Sequence, residues 1–158
     1  MTYYVKMIGA SDLPLPNTPF QDIPSLLRRI RFPREQFPSY MTPGDELVYY
    51  AVGGYKGLFA IAELTSKPER DVPIDDPVVR KRWPHAADVT IRMRLDRVTS
   101  GPQLAEVSPA LQQNVTQGTS HFEIGRPEFE RAYELLRKAK AAEELENRRL
   151  ARMGAPAR

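Results

Sequence analysis

Seventeen of the 23 cationic side chains in this 158-residue chain are arginine. A guanidinium grips phosphate or carboxylate through two parallel bonds and stacks on nucleobases, so arginine-rich surfaces suit anionic polymers. The arginines cluster. Arg28, Arg29, Arg31 and Arg34 lie close together, and Arg80, Lys81 and Arg82 precede Arg92 and Arg94. Residues 1–79 carry 8 basic and 10 acidic groups, residues 80–100 carry 6 and 2, and residues 101–158 carry 9 and 8. The net charge of +3 therefore comes from one local stretch of +4. That pattern fits a basic patch rather than a chain coated in positive charge. Such clusters could hold phosphates. The plainer alternative for each arginine is a solvated ion pair of little energetic weight.

Catalytic chemistry has few residues to work with. The chain has no cysteine, which removes disulfides, thiol nucleophiles and thiolate metal ligation. Its two histidines, His85 and His121, are too few for a His-rich zinc site. Ser120 and His121 are adjacent, which does not make a triad, and no G-x-S-x-G elbow is present. Neither a P-loop nor G-x-G-x-x-G occurs. Asp75 and Asp76 sit between prolines and read as a solvated turn. The sequence is thus read as non-enzymatic, with no cofactor and no metal. Aromatics are better placed for recognition: Tyr3, Tyr4, Phe32, Tyr49, Tyr50, Tyr55 and the sole tryptophan, Trp83. Tyr49 and Tyr50 are consecutive on a strand and point to opposite faces; one can face a barrel interior while the other packs under a helix. Trp83 lies in a polar, basic stretch just before a strand, where it either closes a pocket or pins a loop to the core.

The elements that must position these residues are short, because 15 prolines divide the chain. Tyr3–Ile8 reads as a first strand by its aromatic and β-branched content. Ser25–Arg31 can form a short helix, with Ser25 as N-cap and Pro33 ending it. The Met41–Asp45 turn launches the strand Glu46–Val52, and Gly53-Gly54 signals a hairpin into Tyr55–Thr65. Both strands are apolar on both faces, which calls for a closed or covered sheet. After a long excursion over Lys67–Trp83, alternation returns in Asp88–Val98, with Val89, Ile91, Met93 and Leu95 facing one way. Ser108–Gln113 carries a cap and an N1 proline, His121–Ile124 is a short strand, and Pro127 opens a helix with Phe129, Ala132, Tyr133, Leu136 and Ala139 at helical spacing. The expected class is α+β: a barrel-like domain of about five strands with flanking short helices and a C-terminal helix. Residues 1–140 form the domain and 141–158 a charged helical or frayed tail. No apolar run of about 18 residues exists to span a membrane, and the N-terminus lacks a signal-peptide h-region. The expectation is a soluble, cytoplasmic protein.

Several motifs in order carry a resemblance. Met41-Thr-Pro-Gly-Asp-Glu-Leu-Val-Tyr-Tyr50 followed by Gly57-Leu-Phe-Ala-Ile-Ala-Glu-Leu64 resembles the second and third strands of the EVE domain, with its M-x-P-G-D-x-x-x-x-Y turn and its G-I-x-E-V strand. Tyr3-Tyr4-Val5 resembles the family's opening Y-W strand, with Tyr4 in the tryptophan position. Arg80–His85 with Asp88-Val89 resembles its fourth strand, and Asn114–Phe129 its closing strand and helix. The resemblance spans residues 3–140 and implies a PUA-like pseudo-barrel, related to YTH and ASCH domains, whose end pocket receives a flipped, modified nucleobase. On that basis the base pocket is assigned to Ser11, Asp12, Tyr50, Trp83, Gln117 and Ser120. Backbone contacts are assigned to Arg28, Arg29, Arg31, Arg80, Arg82 and Arg92. The implied partner is DNA or RNA carrying a modified base, bound by a monomer, with no membrane partner. Two alternatives stand beside it: an ASCH-like hydrolase of a modified nucleoside, whose G-x-K-x-x-T-x-R signature is absent, and a protein-interaction subunit using the charged C-terminal helix.

Overall fold

The computed structural model describes residues 1–9, 28–52, 57–70, 77–97, 101–115 and 119–154. The described residues form seven strands: β1 (Tyr3–Ile8), β2 (Arg29–Phe32), β3 (Glu46–Ala51), β4 (Leu58–Leu64), β5 (Glu69–Arg70), β6 (His85–Arg94) and β7 (His121–Ile124). The helices are α1 (Pro77–Arg82), α2 (Leu104–Val107), α3 (Pro109–Gln112) and α4 (Arg126–Arg152). The sheet runs β2-β6-β4-β3-β1-β7, with β5 on the other side of β6. Among the described residues, only β1 and β3 pair in parallel.

Burial on both faces explains the central strands. Every residue of β3 is buried, and so is all of β4 but Glu63. Register assigns the two faces: Tyr4, Lys6 and Ile8 lie beside Leu47, Tyr49 and Ala51, on the inside of the curl. Tyr3, Val5 and Met7 lie beside Glu46, Val48 and Tyr50, on the face that the helices cover. Tyr3 stacks on Phe129 of α4 with ring centroids 4.3 Å apart, and Phe129, Ala132 and Leu136 form that helix's buried stripe. Of the spaced residues that predicted this helix, Phe129, Ala132 and Leu136 form its docking face, while Tyr133 is exposed.

Curling comes from β6. Its first four residues pair with β2 and its later ones with β4, so one ten-residue strand passes from one side of the sheet to the other. The register shifts at Ile61/Ala62, leaving Arg92 as the extra residue of a bulge, and bulges bend strands and increase twist. As a result the two end strands approach each other: Phe32 of β2 and His121 of β7 are in edge-to-face contact at 5.5 Å. The sheet is a curled half-barrel with a seam between β2 and β7.

Three sequence expectations change. Helical geometry ends at Arg28, and Arg29–Phe32 is a strand, not the end of a Ser25–Arg31 helix. Ile30 and Phe32 alternate with Arg29 and Arg31, and pairing to Ala87 and His85 buries both apolar side chains. About five strands are expected; among the described residues β2 and β5 bring the number to seven. Met93 pairs beyond the bulge, so it does not continue the Val89–Ile91 row. The Gly53-Gly54 hairpin and Asp75-Asp76 lie outside the described residues, as do residues 25–27. At the C-terminus α4 passes through residue 140 without a break. Glu143 accepts bonds from the Asp96 and Arg97 amides at 2.6 and 3.2 Å, so the helix is still docked there. Among the described residues, no helix is long and apolar enough to cross a membrane.

Candidate functional site

The seam gathers side chains from four separate elements. Tyr4 and Lys6 come from the inner face of β1. His121 stands opposite Lys6 on β7. Phe32 closes from β2, and Gln36 and Tyr40 come from the β2–β3 connection. The Tyr40 hydroxyl bonds to His121 Nε2; their rings lie 5.9 Å apart, and Tyr4 lies 5.9 Å from Tyr40. His121 Nδ1 meets the Ser120 hydroxyl at 3.2 Å. Gln36 Oε1 accepts the Ser120 amide at 2.7 Å, tying the β2 side of the seam to the β7 side. Tyr40 is 58% exposed, while Phe32 is fully buried. The cluster therefore has a solvent-facing aromatic rim over an apolar floor.

Lys6 lies in that floor. It is 3% exposed, its ammonium is 5.1 Å from the Phe32 ring centre, and its hydrogen bond goes to the Met7 carbonyl at 2.8 Å. Among the described residues no carboxylate pairs with it. Burial lowers its pKa to about 7, since a charge removed from water without a counter-ion is disfavoured. Burial, and then the Lys6 charge, push His121 down to about 4. His121 is thus a neutral imidazole at physiological pH, a π-face with one nitrogen held by Tyr40. Burial, followed by the Asp45 and Glu123 charges, raises Tyr4 to about 12. Tyr49, the cross-strand partner of Lys6, has a buried hydroxyl with no hydrogen-bond partner among the described residues.

A basic flank begins next to the seam. Arg31 Nε donates to the Trp83 carbonyl at 2.9 Å, and the Arg82 guanidinium lies over the Trp83 ring at 4.8 Å. This joins the two arginine clusters, about 50 residues apart, on the β2–β6 side. Arg28, Arg34, Arg70, Arg80 and Lys81 are exposed, and among the described residues none has an acidic partner in ion-pair contact.

The sequence-assigned residues divide between these places. Ser120 is in the seam. Trp83 is half-buried under Arg82 at the flank, beside Arg31. Tyr50 is on the helix-covered face, bonded to Gln112, so the inward tyrosine of the pair is Tyr49. Arg29 pairs with Asp88 at 3.1 Å, and Arg92 pairs with Glu46 and, at 4.0 Å, Glu63, both on the outer face. Ser11, Asp12 and Gln117 lie outside the described residues. Sequence reasoning missed Lys6, Tyr40 and His121 as site residues. Lys6 alone had a signal: a lysine at an inward position of an otherwise apolar strand.

No family model matches the chain, and no curated protein does. Solved structures do. The NMR structure of Rpa0253 from Rhodopseudomonas palustris is similar at 17% identity and a TM-score of 0.54, covering 90% of this chain and 94% of that one. The crystal structure of a Pseudomonas putida protein is similar at 18% identity and a TM-score of 0.56, covering 85% and 99%. The Mmi1 YTH domain in its complex with RNA is similar at 10% identity and a TM-score of 0.57, covering 87% and 79%. At such identities the likeness establishes the fold: a YTH-like α+β half-barrel.

Proposed function

We propose that this chain is a non-catalytic nucleic-acid-binding module that receives one unstacked, modified base at the β2–β7 seam. The observation that carries the reading is the seam itself: exposed Tyr40 and half-buried, neutral His121 form an accessible aromatic rim over buried Tyr4, beside an arginine-rich flank. Base readers need π-faces for stacking, a few polar groups for the base edge and cations for the backbone. Ser120 and Gln36 supply polar groups, and Arg28, Arg31, Arg80 and Arg82 border the path of the phosphates. The RNA complex of the Mmi1 YTH domain supports the polymer class, and the motif resemblance to EVE domains supports membership of that family and the modified base. Extruding a base costs a few kcal/mol, which stacking must recover.

The test is equilibrium binding of short single-stranded RNA and DNA, unmodified and carrying modified cytosine or adenine, across a salt series. Tyr40→Ala should lose about 1–3 kcal/mol of binding with little change in stability, because its ring is mostly outside the core. Arg80→Ala with Arg82→Ala should weaken every oligonucleotide and flatten the salt slope by about two phosphates' worth. Binding that is indifferent to both changes would refute the reading.

A further inference from the structure

The chain has only two histidines, and each is covered by an exposed aromatic ring from one short connection. Tyr40 lies on His121, and Phe37 lies on His85 with ring centroids 4.5 Å apart. The connection is held in shape. Pro33 and Pro38 restrict it, and Gln36, Ser39 and Met41 donate amide bonds to Pro33, Phe37 and Pro38 carbonyls at 3.0–3.3 Å. The two ring pairs flank one residue: Phe32 touches His121 at 5.5 Å and is the cross-strand partner of His85. His85 is one cross-strand step, about 5 Å, from Phe32, so the two pairs lie within about 10 Å of each other, a span that neighbouring nucleotides of an extended, unstacked strand can bridge.

We infer that Phe37 and His85 form a second stacking site, for the nucleotide next to the one at the seam. The inference rests on the nucleic-acid reading of that seam. Phe37 is 38% exposed, an uncommon state for phenylalanine on a rigid connection, and its ring offers an apolar face to solvent. Arg70 is the cross-strand partner of His85, and Arg34 opens the same connection; both are exposed. Burial and these two charges lower the His85 pKa, which disfavours a charged ring beneath Phe37. The arrangement is a π-platform with two cations for the intervening phosphate. The favoured ligand is a strand presenting two adjacent free bases, rather than a lone nucleoside.

The experiment is a two-by-two binding comparison by fluorescence anisotropy. The probes are a labelled single-stranded RNA 9-mer of random sequence and the same 9-mer with every second nucleotide abasic, which removes all adjacent base pairs of sites. The proteins are wild type and Phe37→Leu, which keeps an apolar side chain and loses the π-face. Wild type should bind the abasic probe roughly 5- to 100-fold more weakly. Phe37→Leu should show that loss on the intact probe and no further loss on the abasic one, and Phe37→Trp should restore tight binding. Tyr40→Leu should weaken both probes. If wild type binds and Phe37→Leu matches it on both probes, the second site is refuted while the seam reading stands. If wild type binds neither probe, nor the same 9-mer carrying modified cytosine or adenine, both fall together.

Discussion

Lys6→Met should change how the protein's stability responds to pH. Lys6 is 3% exposed, with no carboxylate partner among the described residues and one hydrogen bond to the Met7 carbonyl. Its pKa falls from 10.5 in the unfolded chain to about 7 in the fold. The folded state therefore holds this proton less tightly than the unfolded state. Between pH 7 and 10.5 the unfolded chain binds the extra proton, and stability rises with pH by about 1.4 kcal/mol per unit. Below pH 7 the full penalty is present, about 5 kcal/mol for the whole shift. Methionine has similar length, fills the same apolar space and does not titrate; it gives up one hydrogen bond, a loss of about 1 kcal/mol. The assay is urea unfolding of both proteins at matched ionic strength from pH 7.5 to 9.5. Wild type should gain about 2–3 kcal/mol relative to Lys6→Met over those two units, and the variant should be the more stable at pH 7.5. Tyr4 and Tyr40, both raised by burial, titrate in either protein and cancel in the difference. Parallel pH profiles would show that Lys6 is solvated or paired, and the floor of the seam would be misdescribed.

Tyr49→Phe removes a buried hydroxyl that has no partner among the described residues, and should stabilise the fold by about 1 kcal/mol in urea unfolding. Gly101→Ala should destabilise by about 3 kcal/mol, because its Cβ would lie 1.4 Å from the Leu58 carbonyl oxygen and only backbone movement relieves that overlap. Glu143→Ala should cost about 1–2 kcal/mol and speed amide exchange at Asp96 and Arg97; unchanged exchange would mean that α4 is undocked beyond residue 140. His121 has its pKa lowered to about 4, so the unfolded chain binds the extra proton between pH 6.5 and 4 and stability falls as pH drops through that window. His121→Gln should reduce that fall by about 1–2 kcal/mol after solvent screening of the half-buried ring.

What the sequence reveals follows from local periodicity. Two-sided apolar runs made β3 and β4 readable, and the Phe129–Leu136 spacing made α4 readable, because each pattern reports burial within one element. The strand β2 was hidden because Leu26, Leu27 and Ile30 suit a helix, while the Ile30–Phe32 alternation gains its meaning only from β6, more than 50 residues away. The same limit governed the site. Trp83 and the arginine clusters stand out by composition, and the flank they form was foreseeable. Tyr40 and His121 are 81 residues apart and meet only because β6 bends the sheet until β2 faces β7. Tyr50 looked equivalent to Tyr49 until the parallel pairing with β1 fixed which of them shares a face with Lys6.

The central claim is that a nucleobase occupies the seam. Isotope-labelled protein titrated with a short single-stranded RNA, followed through backbone and aromatic-ring chemical shifts, tests it most directly. The account predicts saturable shifts concentrated at Tyr4, Lys6, Tyr40, Ser120 and His121, with smaller ones at Arg31, Arg82 and Trp83. Saturable shifts that instead follow the exposed face of α4, or none at the seam at concentrations that saturate binding, would contradict it.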